Sequence, residues 1–99
     1  MFARHVTVHG SPNQIDEAIR VQREHMVPVL RDCIGFKAQL FLVDRQTGEV
    51  IGISLWQTEN DMIASEERVS VVRQRVADQV GASLPPDVRI YELPVFEVS

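Results

Sequence analysis

From Phe2 to His9 the side chains alternate, with Arg4, Val6 and Val8 pointing one way and His5, Thr7 and His9 the other, the period of a strand. Gly10, Ser11 and Pro12 end it. Ser11 or Asn13 can cap the helix that follows, and Pro12 is tolerated in its first turn. From Asn13 to Arg31 the period changes. Ile15, Ala18, Ile19, Gln22, Met26, Val29, Leu30 and Cys33 form one mostly apolar helical stripe. Pro28 interrupts it, removing one backbone hydrogen bond and crowding the carbonyl of Glu24, so a kink or break is predicted near residues 24 to 28. Gly35 is a stop signal.

Phe36 to Asp44 and Glu49 to Thr58 read as a second and a third strand, joined through Arg45-Gln46-Thr47-Gly48, which has the length and the glycine of a hairpin turn. Thr58 or Asn60 caps a second helix, whose buried side is predicted to carry Met62, Ile63, Ser65, Val69, Val72, Val76 and Val80, and which ends at Gly81. Ala82 to Pro86 is a loop. Val88 to Val98 is the last predicted strand, where Pro94 marks an edge, a bulge or the point at which the chain leaves its sheet. The order βαββαβ is the ferredoxin-like α+β arrangement, a four-stranded antiparallel sheet with both helices on one face. Residues 1–99 are expected to form one domain.

The strands expected at the centre are the first and the third. Their alternation sorts into an aliphatic set, Val6, Val8, Ile51, Ile53 and Leu55, and a small, polar or aromatic set, His5, Thr7, His9, Gly52, Ser54 and Trp56. Periodicity leaves open which set meets the helices. Gly52 and Ser54 lack bulk, so a gap beside Trp56 is expected. It either holds a ligand or simply accommodates the indole. With the second and fourth strands added, both faces are too apolar to be left open, and a symmetric dimer pairing sheet on sheet would cover the free one.

Composition narrows the class. The chain is 44% apolar and 24% charged with a net charge of −4, an acidic balance that argues against nucleic acid as a partner. No apolar run approaches the ~18 residues of a membrane span. The N-terminus lacks the apolar core of a signal peptide, so a cytoplasmic protein is expected. A single cysteine, Cys33, forms no intrachain disulfide and no cysteine-based zinc site. It reads as a small packed hydrophobe, since only Arg31 is near enough in sequence to activate a thiol.

The histidines are the candidate acids and bases. His5 and His9 share a strand face but lie about 13 Å apart along an extended strand, too far to bind one metal ion together. A metal site would need His25, Glu24 or Glu17 as well, and none is expected. His5 is placed for a pocket, His25 lies beside the predicted kink, and His9 sits at a strand end facing solvent.

The segment Gly52-Ile53-Ser54-Leu55-Trp56-Gln57-Thr58-Glu59-Asn60-Asp61-Met62 resembles the strand-to-helix junction of the antibiotic biosynthesis monooxygenase-like domains of the dimeric α+β barrel superfamily, and Gly35-Phe36 resembles the pair that opens their second strand. The resemblance covers almost the whole chain in element order. It implies a homodimer whose two sheets close a barrel, with a pocket in each subunit between sheet and helices. Trp56, Ser54 and Gly52 would line that pocket, with Thr7 and Met62 as further contacts and His5 or His25 handling a proton. It also implies cofactor-independent oxygenation of a small aromatic or quinol-type molecule, with no metal or flavin. The deprotonated substrate would supply electrons to oxygen while the protein removes a proton and stabilises the anion. The family pattern resembles an Asn four residues before the Trp, a Tyr six after and an Arg about twenty after. Here Gly52, Met62 and Val76 stand at those places, and Arg73 or Arg75 would replace the Arg if the helix is shifted or rotated. Haem degradation, which resembles an Asn on the first strand with a Trp and a His on the second helix, is not expected, because those residues are absent. A non-catalytic ligand-binding or interaction dimer is the alternative.

Overall fold

The computed structural model describes residues 1–99. Its strands are β1 (Phe2–His9), β2 (Phe36–Val43), β3 (Glu49–Trp56) and β4 (Asp87–Glu92), joined antiparallel in the order β2-β3-β1-β4. The first helical segment comprises α1 (Ile15–Val21), a π-helical turn (Gln22–Met26) and α2 (Val27–Arg31), and the second helix is α3 (Glu59–Gln79). The ferredoxin-like order is therefore as expected, with β1 and β3 in the centre.

The predicted kink takes the form of that π turn. Pro28 offers no N–H and its ring cannot sit beside the carbonyl of residue 24 in a regular α-helix. Widening the preceding turn resolves this, and the N–H of Val27 reaches back five residues to the carbonyl of Gln22. The turn keeps both Gln22 and Met26 buried against the sheet.

Local signals set the other boundaries. Gly35 and Gly81 adopt the left-handed φ values of +81° and +67° that end the helices. Thr58 caps α3, its hydroxyl accepting from the N–H of Asp61 at 3.0 Å. The carboxylate of Asp44 accepts from the N–H groups of Gln46 and Thr47, which fixes the hairpin and holds that carboxyl below its usual range. Gly48 then turns at φ +83° so close to the first strand's end that an added Cβ would lie 2.4 Å from the carbonyl oxygen of Gly10.

Two apolar clusters fill the space between sheet and helices. Val8, Ile15, Ala18, Val50, Ala77 and Val80 form one end, and Met26, Leu30, Trp56, Met62 and Val69 the other. Each large side chain buried this completely stabilises the fold by roughly 1.5–3 kcal/mol.

Three expectations change. Residues directly opposite in an antiparallel pair share a face, and β1 pairs with β3 as Arg4 with Ser54, Val6 with Gly52 and Val8 with Val50. So Val6 and Val8 lie with Gly52, Ser54 and Trp56, while His5, Thr7 and His9 lie with Ile53, Ile51 and Glu49. The two sets read from alternation were each paired with the wrong half of the other strand. Ile63 is 55% exposed, because Arg73 and Ala77 take the inward positions on α3. β4 stops at Glu92 rather than Val98. The N–H of Leu93 still reaches the carbonyl of Met1, but Pro94 has no N–H to continue the ladder.

Candidate functional site

Between the two apolar clusters the sheet and helices do not meet. The cavity there has a volume of about 40 Å³ and is open to solvent on one side. The cavity alone is smaller than a small-ligand pocket and reaches that range only with the adjoining groove of about 360 Å³. It opens because β3 presents Gly52 and Ser54 where a bulky residue would otherwise fill the layer. Gly52 is not required by the backbone: a Cβ there would meet only ordinary contacts, 3.9 Å from Gln39 and Phe41. Val6, Val8, Phe41, Val50, Val69 and Val76 supply the apolar wall. Arg4, Arg73, Gln22, Gln39 and Ser54 supply the polar part. An open groove lined by Ile19, Arg23, Val27 and Val43 adjoins the cavity and shares Gln22, Gln39 and Phe41 with it.

The buried charge is the feature least expected. Arg4 is 2% exposed and projects from β1 towards α3. It donates to the Met62 carbonyl at 3.1 Å, to Ser65 Oγ at 3.1 Å and to Glu66 Oε2 at 2.9 Å. Its guanidinium also lies 5.3 Å from the centre of the Trp56 ring, a favourable cation–π contact. Burial pulls the Arg4 pKa down and Glu66 opposes that pull. A guanidinium begins so far above neutrality that Arg4 stays charged. Arg73, 9% exposed, donates through both terminal nitrogens to the two oxygens of the same Glu66. The Arg73 hydrogen bonds hold the Glu66 carboxyl below its usual range. One carboxylate therefore serves two buried cations, and the cluster keeps a surplus positive charge.

Two buried donors have no partner, Nε of Arg73 and the side-chain nitrogen of Gln22. Buried polar atoms are nearly always satisfied, and each orphan costs about 1–3 kcal/mol. Both belong to residues lining the cavity.

The expected site residues separate. Gly52 and Ser54 line the cavity. Trp56 and Met62, both 0% exposed, stand behind its wall in the second apolar cluster. The indole N–H of Trp56 donates to Ser54 Oγ at 2.9 Å, so the ring orients a cavity hydroxyl. His5 and Thr7 lie on the sheet's other face, where His5 packs edge-on against Tyr91, and neither reaches this cavity. His25 is half-buried and its Nδ1 meets Arg75 at 3.2 Å. Arginine only donates, so that nitrogen accepts and any proton sits on Nε2. Cys33 is half-buried against the second cluster, its thiol directed to the Val29 carbonyl. No three His, Cys, Asp or Glu side chains gather where they could hold a metal ion, and no helix is long and apolar enough to cross a membrane.

Sequence reasoning missed Arg4, Gln22 and Glu66. Arg4 carried a signal, since it shares a strand phase with Val6 and Val8. Of the two arginines considered on the second helix, Arg73 faces the cavity and Arg75 does not.

The architecture matches a known class. A monooxygenase of Streptomyces coelicolor solved with nanaomycin D superposes with a TM-score of 0.80 at 15% identity, over 99% of this chain and 91% of that one. An antibiotic biosynthesis monooxygenase superposes with a TM-score of 0.73 at 17% identity, over 94% of this chain and 98% of that one. A Nitrosomonas europaea protein of unknown function gives 0.79 at 16% identity, over 99% and 93%. The chain thus has the antibiotic biosynthesis monooxygenase fold.

In sequence it is similar to two uncharacterised proteins of Mycobacterium tuberculosis. One is 34% identical over 93 residues, 94% of this chain and 41% of the relative. The other is 38% identical over 77 residues, 78% of this chain and 33% of the relative. The chain therefore spans between a third and about two fifths of the curated relatives it matches. No protein-family profile matches it.

Proposed function

We propose that residues 1–99 form one monooxygenase-like domain whose cavity binds a small aromatic or quinol-type molecule and oxidises it with dioxygen, without metal or flavin. The observation that carries this reading is an apolar cavity, continuous with an open groove, whose polar lining includes two buried arginines sharing one carboxylate. A phenol or quinol bound there would ionise more readily, because its anion would meet the surplus positive charge in surroundings of low dielectric. Its proton would leave through the open side. The anion would then give electrons to dioxygen, with one oxygen atom entering the product and the other leaving as water. The fold shared with monooxygenases supports the reaction class.

The test is oxygen uptake with a panel of quinols and phenols in the presence of a chelator and with no added cofactor. Uptake that depends on the folded protein and falls when Arg73 is replaced is the expected result. Uptake equal to that of buffer alone across the panel, with unchanged Trp56 fluorescence, would remove the reading.

We also propose that the partner of the outer sheet face is a second copy. That face carries Leu40 and Leu42, 46% and 47% exposed, beside Ile51 and Ile53. Covering such a surface favours association. Sedimentation as a single subunit at micromolar concentration would overturn this.

A further inference from the structure

The unpartnered atoms in the cavity define the ligand more closely than its size does. We propose that Nε of Arg73 and the side-chain nitrogen of Gln22 form an anion subsite, and that the ligand is a flat ring compound carrying one ionised oxygen group, either a carboxylate or an acidic enol. This rests on the reading of the cavity as a ligand site and names the ligand class.

Both orphaned atoms are donors, and no fully buried side-chain acceptor is left without a partner. The missing group must therefore accept, and an ionised oxygen accepts without offering a proton that would compete. Charge leads to the same ligand. Arg4 and Arg73 carry two positive charges and Glu66 one negative, so one buried charge lacks a counterion. A single anion balances it.

Geometry fixes both donors. Glu66 holds the two terminal nitrogens of Arg73, which locks the guanidinium and leaves Nε as its one nitrogen without a partner. Gln22 stands at the start of the π turn and is 5% exposed. Both residues line the cavity together with the aliphatic wall of Val6, Val50, Val69 and Val76, and the adjoining groove of about 360 Å³, which Gln22 also lines, gives a ring its room. Anions lacking an apolar body would leave that wall unfilled.

Calorimetric titration with matched probes separates the alternatives. Naphthoate is compared with naphthamide, and the hydroxynaphthoquinone lawsone, an anion at neutral pH, with its methyl ether. Each anion should bind at least about tenfold tighter than its neutral counterpart, a difference of ~1.4 kcal/mol. A preference confined to naphthoate assigns a carboxylate ligand, and one confined to lawsone an enolate. Gln22→Met keeps the side-chain length and should lower the preference severalfold with the fold intact by circular dichroism. Arg73→Met should abolish it.

Equal binding of anion and neutral isostere, or an unchanged preference in Gln22→Met, would overturn the subsite and leave the two donors to water. Oxygen uptake without anion preference would sink this inference and spare the proposed reaction. Failure of all four probes to bind would remove the ligand site itself, and the inference with it.

Discussion

Replacing Glu66 by Gln tests the charge arrangement that supports the site. The carboxylate accepts from Arg4 and from both terminal nitrogens of Arg73. The amide keeps one acceptor oxygen, turns a donor towards the arginines and leaves two guanidiniums buried without a counter-charge. Removing one partner from a fully buried ion pair costs about 3–5 kcal/mol, whereas an exposed pair is worth only about 0–1 kcal/mol. The side chains of Arg4 and Arg73 are 2% and 11% exposed, but that of Glu66 is 42% exposed and partly screened by water. The expected loss is therefore intermediate, about 2 kcal/mol, or a fall in melting temperature of about 10 °C for a domain this small.

The loss also has a fixed pH dependence. The Glu66 pKa is lowered in the folded protein. Its stabilisation is thus complete above the unfolded carboxyl's value, about 4.3, and disappears as pH falls through the folded value. The gap between parent and variant should be full at neutral pH, narrow below about pH 4 and then close. Urea unfolding followed by Trp56 fluorescence, in steps from neutrality to about pH 3, measures it. A variant within about 0.5 kcal/mol of the parent at neutral pH, or a gap that stays constant in acid, would refute the shared-carboxylate account.

Gly52→Val should leave stability within about 1 kcal/mol of the parent, because its Cβ meets only ordinary contacts and valine favours strands. It should nevertheless weaken binding of naphthoate at least about tenfold by filling the cavity, which thermal unfolding and fluorescence titration together would reveal. Ser54→Ala removes the acceptor of the buried Trp56 N–H and should cost about 1–3 kcal/mol. Chemical denaturation checks the cost, and a shift in the indole emission checks its cause. Gly48→Ala combines a left-handed φ with a 2.4 Å approach to the Gly10 carbonyl. It should cost about 2 kcal/mol or more, and a fully soluble variant with an unchanged melting temperature would contradict that.

Along the chain, the signals that act over a few residues were legible. Arg45 to Gly48 specify a hairpin, Thr58 a helix start, Gly35 and Gly81 helix ends, and Pro28 a disturbed turn, because in each case the deciding contact lies within about one turn of backbone. Those signals are enough for the element order and the ferredoxin-like arrangement. The gap expected beside Trp56 opens instead at Gly52 and Ser54, whose lost volume is visible in the residue type itself, with Trp56 behind the wall.

The site's contents needed the tertiary structure. Alternation shows which residues share a face within one strand. The phase between two strands is fixed only when they pair, and a shift of one residue exchanges the faces. That is how His5 and Thr7 came to be grouped with Gly52 and Ser54, whereas Arg4, Val6 and Val8 stand opposite them. Burial of Arg4 depends on Glu66, 62 positions away, and of Arg73 on the inward turn that exposes Ile63. A charged side chain reads as surface until its partner is in place, and only the packed structure supplies that partner.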